Sequence, residues 1–76
     1  MPDSRFLTLA DVAEILNVSQ HQARMLVRSG ELAGIQVGGR GQWRVERTKL
    51  EEYITAAYQR TAAAIASGSL DDAEVR

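Results

Sequence analysis

The chain has no cysteine and a single histidine. Without thiols it has neither a disulfide framework nor a thiolate zinc site, and one imidazole cannot build a histidine metal cluster. It also lacks a long hydrophobic run. The longest uncharged stretch on the C-terminal side, Thr61 to Leu70, is rich in Ala, Ser and Gly and is half of the ~20 residues a membrane span needs. The first residues do not follow the basic-then-apolar pattern of a secretory signal. A phosphate-binding P-loop motif is missing, the carboxylates are scattered, and no Ser/His/Asp set can be assembled. These absences exclude most enzyme classes. No catalytic residue, metal ligand or cofactor is expected, and no membrane or small-molecule effector. The expected location is the cytoplasm, at the nucleoid.

What is present is the composition of an ordinary soluble domain, with 76 residues, 45% hydrophobic and 25% charged. That length allows one small domain. A core of this size rarely supplies more than ~3–5 kcal/mol, so a compact helical unit is expected, aided by a partner. The net charge of −1 hides an uneven distribution. Residues 20–47 carry five arginines (Arg24, Arg28, Arg40, Arg44, Arg47) against Glu31 and Glu46, a local excess of three positive charges. The segments on either side are acidic. All the positive charge in the middle is arginine, whose planar fork suits phosphates and guanine edges.

Local patterns divide the chain into short elements. Thr8 reads as a helix N-cap with Asp11 at the reciprocal capping position, and Leu7 with Val12 as a hydrophobic staple. Leu9, Val12, Ala13 and Leu16 then mark one helical face, and Asn17 a stop. Ser19 and Gln22 repeat the capping box at once. Ala23, Leu26 and Val27 form the inner stripe of a second helix that Gly30 can end. Two short helices joined this tightly make a helix-turn-helix. Alternation at Ile35 and Val37, a Gly38-Gly39-Arg40-Gly41 loop, and alternation at Trp43 and Val45 predict a β-hairpin. Ile35, Val37, Trp43 and Val45 are expected to face the core, and Gln36, Gln42 and Arg44 the solvent or a ligand. A third helix is predicted from near Thr48 to about Ala66, with Leu50, Ile54 and Ala57 inward and Tyr53 and Tyr58 beside them.

The order of these pieces resembles a known family. Residues Leu7 to Ser19, then Arg28-Ser29-Gly30-Glu31-Leu32, Val37-Gly38-Gly39-Arg40, Trp43-Arg44-Val45 and Leu50-Glu51-Glu52-Tyr53-Ile54 are similar to MerR-type and excisionase-type winged helix-turn-helix domains, including small BldC-like regulators. The resemblance covers about residues 6–55. It departs from the family at Gln22 and Ala23 within the second helix, and at the extra Gly41 of the wing tip. The resemblance implies a mainly α fold with three helices and a two-stranded wing. It also implies duplex DNA as the partner, with the second helix in the major groove and the wing on the backbone or minor groove. The implied role is transcription regulation. An excisionase-like DNA-bending factor is the alternative within the class, and a protein-interaction module using the Tyr53 to Ile65 helix the alternative outside it.

The expected organisation is an N-terminal arm over 1–5, the winged domain over 6–66, and a flexible acidic tail over 67–76. Gln20, His21, Arg24 and Met25 share an outward strip of the second helix and are the candidate base-facing residues. Ser19, Arg28, Arg40, Arg44 and Arg47 are the candidates for phosphate or minor-groove contact. His21 is expected to be a DNA neighbour and not an acid–base group. Trp43 is expected to fill the core and not to intercalate, because it shares parity with Val45. The apolar stripe continues past Tyr58, so residues 58–66 are expected to support weak self-association.

Overall fold

The first helix starts where its cap dictates. In the computed structural model, which describes residues 5–68, the Thr8 hydroxyl accepts from the Asp11 amide at 3.0 Å and the Asp11 carboxylate accepts from the Thr8 amide at 3.1 Å. This box opens α1, Leu9–Leu16. Asn17 closes it in the left-handed region at φ 59°, a conformation Asn tolerates better than most residues. Ser19 and Gln22 form the second box, with Oγ accepting from the Gln22 amide at 3.0 Å. That box opens α2, Gln20–Ser29, which ends on Gly30. Only three residues separate the helices, so they stay packed together as a helix-turn-helix.

Three strands complete the domain. These are β1 (Phe6–Leu7), β2 (Ile35–Val37) and β3 (Gln42–Glu46), antiparallel in the order β1-β3-β2. The expected hairpin is therefore present and gains a third strand, too short at two residues to show a period-two signal. The last element, α3, Arg47–Ser67, begins directly after β3, one residue ahead of the expected Thr48. Glu46 makes no side-chain cap there. The first amide of α3, that of Arg47, instead donates to the Arg5 carbonyl at 2.8 Å, and the Arg5 guanidinium pairs with Glu46 at 2.8 Å. Arg5, assigned above to an N-terminal arm, is thus held by the sheet. The other arm residues and the tail beyond Gly68 lie outside the described residues.

Leu7, Val12, Ala13, Ala23, Val27, Leu32, Val45 and Leu50 form the core. Leu9, Leu16, Leu26, Trp43, Tyr53 and Ile54 pack against it half-buried. Trp43 therefore lines the core, as its parity required. Leu32 belongs to no strand or helix yet is fully buried, because its amide, bonded to the Leu26 carbonyl at 3.1 Å, folds the loop back under α2.

The hairpin departs from expectation at Ile35 and Val37, which are 48% and 39% exposed. The cause is loop length. Gly38 and Gly41, both at positive φ, close a four-residue loop between Val37 and Gln42. The ladder pairs Ile35 with Arg44, Gln36 with Trp43 and Val37 with Gln42. Directly opposed residues share a sheet face, so an even loop sets odd positions of β2 beside even positions of β3. Ile35 and Val37 therefore lie on the face of Gln42 and Arg44, away from Val45. Gln36 is exposed as expected but sits on the opposite face from Gln42 and Arg44. The inward position of this segment is Gly34, where a Cβ would meet Val27 and Val45.

Candidate nucleic-acid interface

Two helix starts and the hairpin tip converge on one open cleft of about 360 Å³. Gln20 and Arg24 reach it from the first turns of α2, and Arg40, Gln42 and Arg44 from the hairpin. Their approach follows from the fold. Gln20 and Arg24 are four residues apart and share a face. The inner stripe of α2 (Ala23 and Val27, both buried) turns that face outward. The β2–β3 hairpin is docked beside α2 at Gly34, so its tip overhangs the same cleft.

The cleft gathers three guanidinium groups in a chain whose net charge is −1. Among the described residues Arg24 and Arg40 make no ion pair or side-chain hydrogen bond, and both are exposed. Their donors are available to a ligand. Arg44 is held differently. Its guanidinium donates to the Trp43 carbonyl at 2.8 Å and to Gln42 Oε1 at 3.4 Å, which fixes a half-buried side chain along its own strand. A pre-oriented guanidinium with donors remaining suits a phosphate oxygen.

The third wall, formed by Thr8, Leu9 and Ala10 at the start of α1, is not among the residues expected from the sequence. The Thr8–Asp11 capping box was the available signal, since a helix N-terminus carries partial positive charge. Asp11, the residue after that wall, works against that charge. The Thr8 amide donating to it holds its carboxyl below the usual range, with the Thr8 side chain and the Arg44 charge acting in the same direction. Asp11 is therefore an anion in neutral solution.

The remaining candidates do not line the cleft. His21 and Met25 are exposed farther round α2 and Arg28 farther along it, all outside the cleft lining. Met25, 48% exposed, is not covered by the hairpin. Arg28 lies in the last turn of α2, where a cation also complements the helix dipole. Ser19 accepts at the α2 cap and keeps its hydroxyl proton to donate. Arg47 is not brought to the cleft. It opens α3 with a half-buried side chain, and its amide is bound to Arg5.

No helix among the described residues is long and apolar enough to cross a membrane. No curated protein and no solved structure matches the chain. A family model described as a helix-turn-helix domain matches residues 6–58, which spans β1 through the first half of α3 and includes every residue of the cleft. The tight α1–α2 pair, the basic cleft beside it and this match agree, and the chain belongs to that family of helix-turn-helix DNA-binding domains.

Proposed function

We propose that this protein is a transcriptional regulator that binds duplex DNA with sequence bias, α2 entering the major groove and the β2–β3 hairpin lying on the backbone or minor groove. The observation that carries the reading is the convergence of Gln20, Arg24, Arg40 and Arg44 on one cleft, with Arg24 and Arg40 unengaged among the described residues. Gln20 and Arg24 take base edges, joined by His21 and Met25 as the groove wall curves round α2. Arg40, Arg44, Arg28 and Ser19 hold the phosphates and set register. Binding involves no chemical step and no cofactor, and it takes place in the cytoplasm. The protein acts by occupying its site.

A single module of this size buries about 600–1,000 Å² on DNA, so useful affinity at physiological salt requires two copies. The test is titration of the chain with duplex DNA, read by fluorescence anisotropy at several salt concentrations, followed by selection from a random duplex pool. Each phosphate contact contributes about 0.9 to the slope of log affinity against log salt. Three or four such contacts give a slope of roughly −3, and the selected pool converges on a motif. Salt-independent binding, or a pool that stays random, overturns the reading. A gel assay with the selected site moved along a fragment separates simple occupancy from the DNA bending of an excisionase-like factor.

A further inference from the structure

Trp43 belongs to two surfaces at once. Its side chain packs against the core cluster, yet the residue is only half-buried and lines the cleft beside Leu9 and Ala10. Its backbone carbonyl is engaged, accepting from the Arg44 guanidinium at 2.8 Å. Its indole N–H is not. Among the described residues that N–H has no acceptor. It is not sealed from water either, because no enclosed side-chain nitrogen or oxygen among the described residues lacks a partner. A tryptophan whose N–H is covered by protein ordinarily finds an acceptor there. Here the donor is left open, on a residue that lines the basic cleft.

We propose that this indole N–H is a DNA contact, donating to a non-bridging phosphate oxygen while the exposed edge of the ring lies against the neighbouring deoxyribose. The proposal rests on the duplex-DNA reading above and gives Trp43 a part in it. With α2 in the major groove and the hairpin on the adjoining minor groove, the backbone strand that divides the two grooves runs through the cleft between them. The cleft suits such a strand. Arg24, Arg40 and Arg44 surround it with positive charge, and Leu9, Ala10 and Trp43 supply an apolar wall for a sugar. An indole N–H donates and cannot accept, so its partner is an acceptor, and the three guanidinium groups make that acceptor an anion. Arg44 folds back onto the Trp43 carbonyl, so a charged donor and a neutral one are anchored to the same stretch of β3. The ring is held by the core and does not insert between bases.

A neutral donor acts differently from an arginine. Each arginine–phosphate contact releases counterion and steepens the dependence of affinity on salt. The indole releases none, so its share of the affinity is the same at every salt concentration. A side chain that merely supports the fold has no such signature.

The chain has one tryptophan and 76 residues, so its emission reports on this site alone and the whole chain is within reach of chemical synthesis. Benzothienylalanine at position 43 keeps the fused-ring shape and puts sulfur where the N–H was. That chain should melt with the parent and bind duplex DNA roughly two- to tenfold more weakly, the worth of one neutral hydrogen bond. The slope of log affinity against log salt should not change. In the parent chain, saturation with duplex should shield Trp43 from quenching by acrylamide, a measurement that needs no variant to fold. Equal affinity of the two chains overturns the proposal, and so does unchanged quenching in the bound parent. A loss that comes with a lowered melt assigns the effect to packing, and a loss with a flattened slope assigns it to displaced arginines; both overturn it too. Anisotropy on the same parent samples keeps the two readings apart. Parent chain that binds duplex with Trp43 unshielded refutes only the indole contact, whereas parent chain that does not bind refutes the DNA reading itself.

Discussion

Gly34 is the position where one methyl group should cost most for its size. It is the last residue before β2, and it presses the hairpin against α2. A Cβ there would lie 3.2 Å from the Arg44 carbonyl oxygen, 3.3 Å from Val27 Cγ1 and 3.5 Å from Val45 Cγ2. None of these can yield freely. The carbonyl is part of β3, and both valines are buried. Overpacking of this kind costs ~1–3 kcal/mol. Gly→Ala also removes freedom from the unfolded chain, which returns ~0.4–1 kcal/mol. The net loss for Gly34→Ala is about 1–2 kcal/mol, a large part of the ~3–5 kcal/mol that so small a core supplies. For 60–100 residues each kcal/mol moves Tm by ~4–8 °C, so a fall of roughly 5–15 °C is expected. Gly39 provides the internal control. A methyl group added there would meet no heavy atom within 4 Å, and the residue does not adopt a positive φ. Gly39→Ala should therefore melt at or slightly above the parent. Circular dichroism melts of the three chains in one buffer decide the matter. If Gly34→Ala and Gly39→Ala melt together, the hairpin is not seated against Val27 and Val45 as described, and the position of its tip over the cleft loses its support.

Other expectations follow from the same contacts. Leu32→Ala should remove roughly 2–5 kcal/mol, comparable to the whole stability of the domain, and urea titration should find it largely unfolded. Arg24→Ala should cost ~1–3 kcal/mol on the selected DNA site and little on random duplex. Arg44→Ala should weaken both equally and flatten the salt slope by about 0.9; equal losses on both DNAs for both variants would refute the division between base and phosphate contacts. Asp11 has a folded pKa lowered from 3.8, so its carboxylate stabilises the fold above that value. The contribution fades as the pH falls through the lower folded value. Asp11→Asn should therefore narrow the difference between melts at neutral and acidic pH, and an unchanged difference would remove the capping box from the account.

Much of this architecture was legible along the chain because its signals are local. Thr8 with Asp11 and Ser19 with Gln22 announce both helix starts within four residues each, and both capping boxes form. Asn17 and Gly30 end the same helices in the conformation expected of them. The strip from Gln20 to Arg28 could be assigned outward because Ala23 and Val27 must go inward. Leu32 was not legible as core, because a single apolar residue in a loop has no period. The two-residue β1 was equally silent, since Phe6 and Leu7 become a strand only by pairing with Glu46 and Val45.

The sequence by itself determined the helix-turn-helix, the position of the hairpin and the concentration of arginine between residues 20 and 47, because caps, turns and charge act over a few residues. Only the tertiary structure decided which arginines come together. Arg24, Arg40 and Arg44 meet at one cleft while Arg47 does not, and that depends on where Gly34 seats the hairpin against α2. It also decided the faces of the hairpin. Alternation marks Ile35 and Val37 as a pair but leaves open which side of the sheet they take, and the four-residue loop turns them outward through the register it imposes on β3. Side-chain direction in a strand follows from its partner, and the partner is set across the fold.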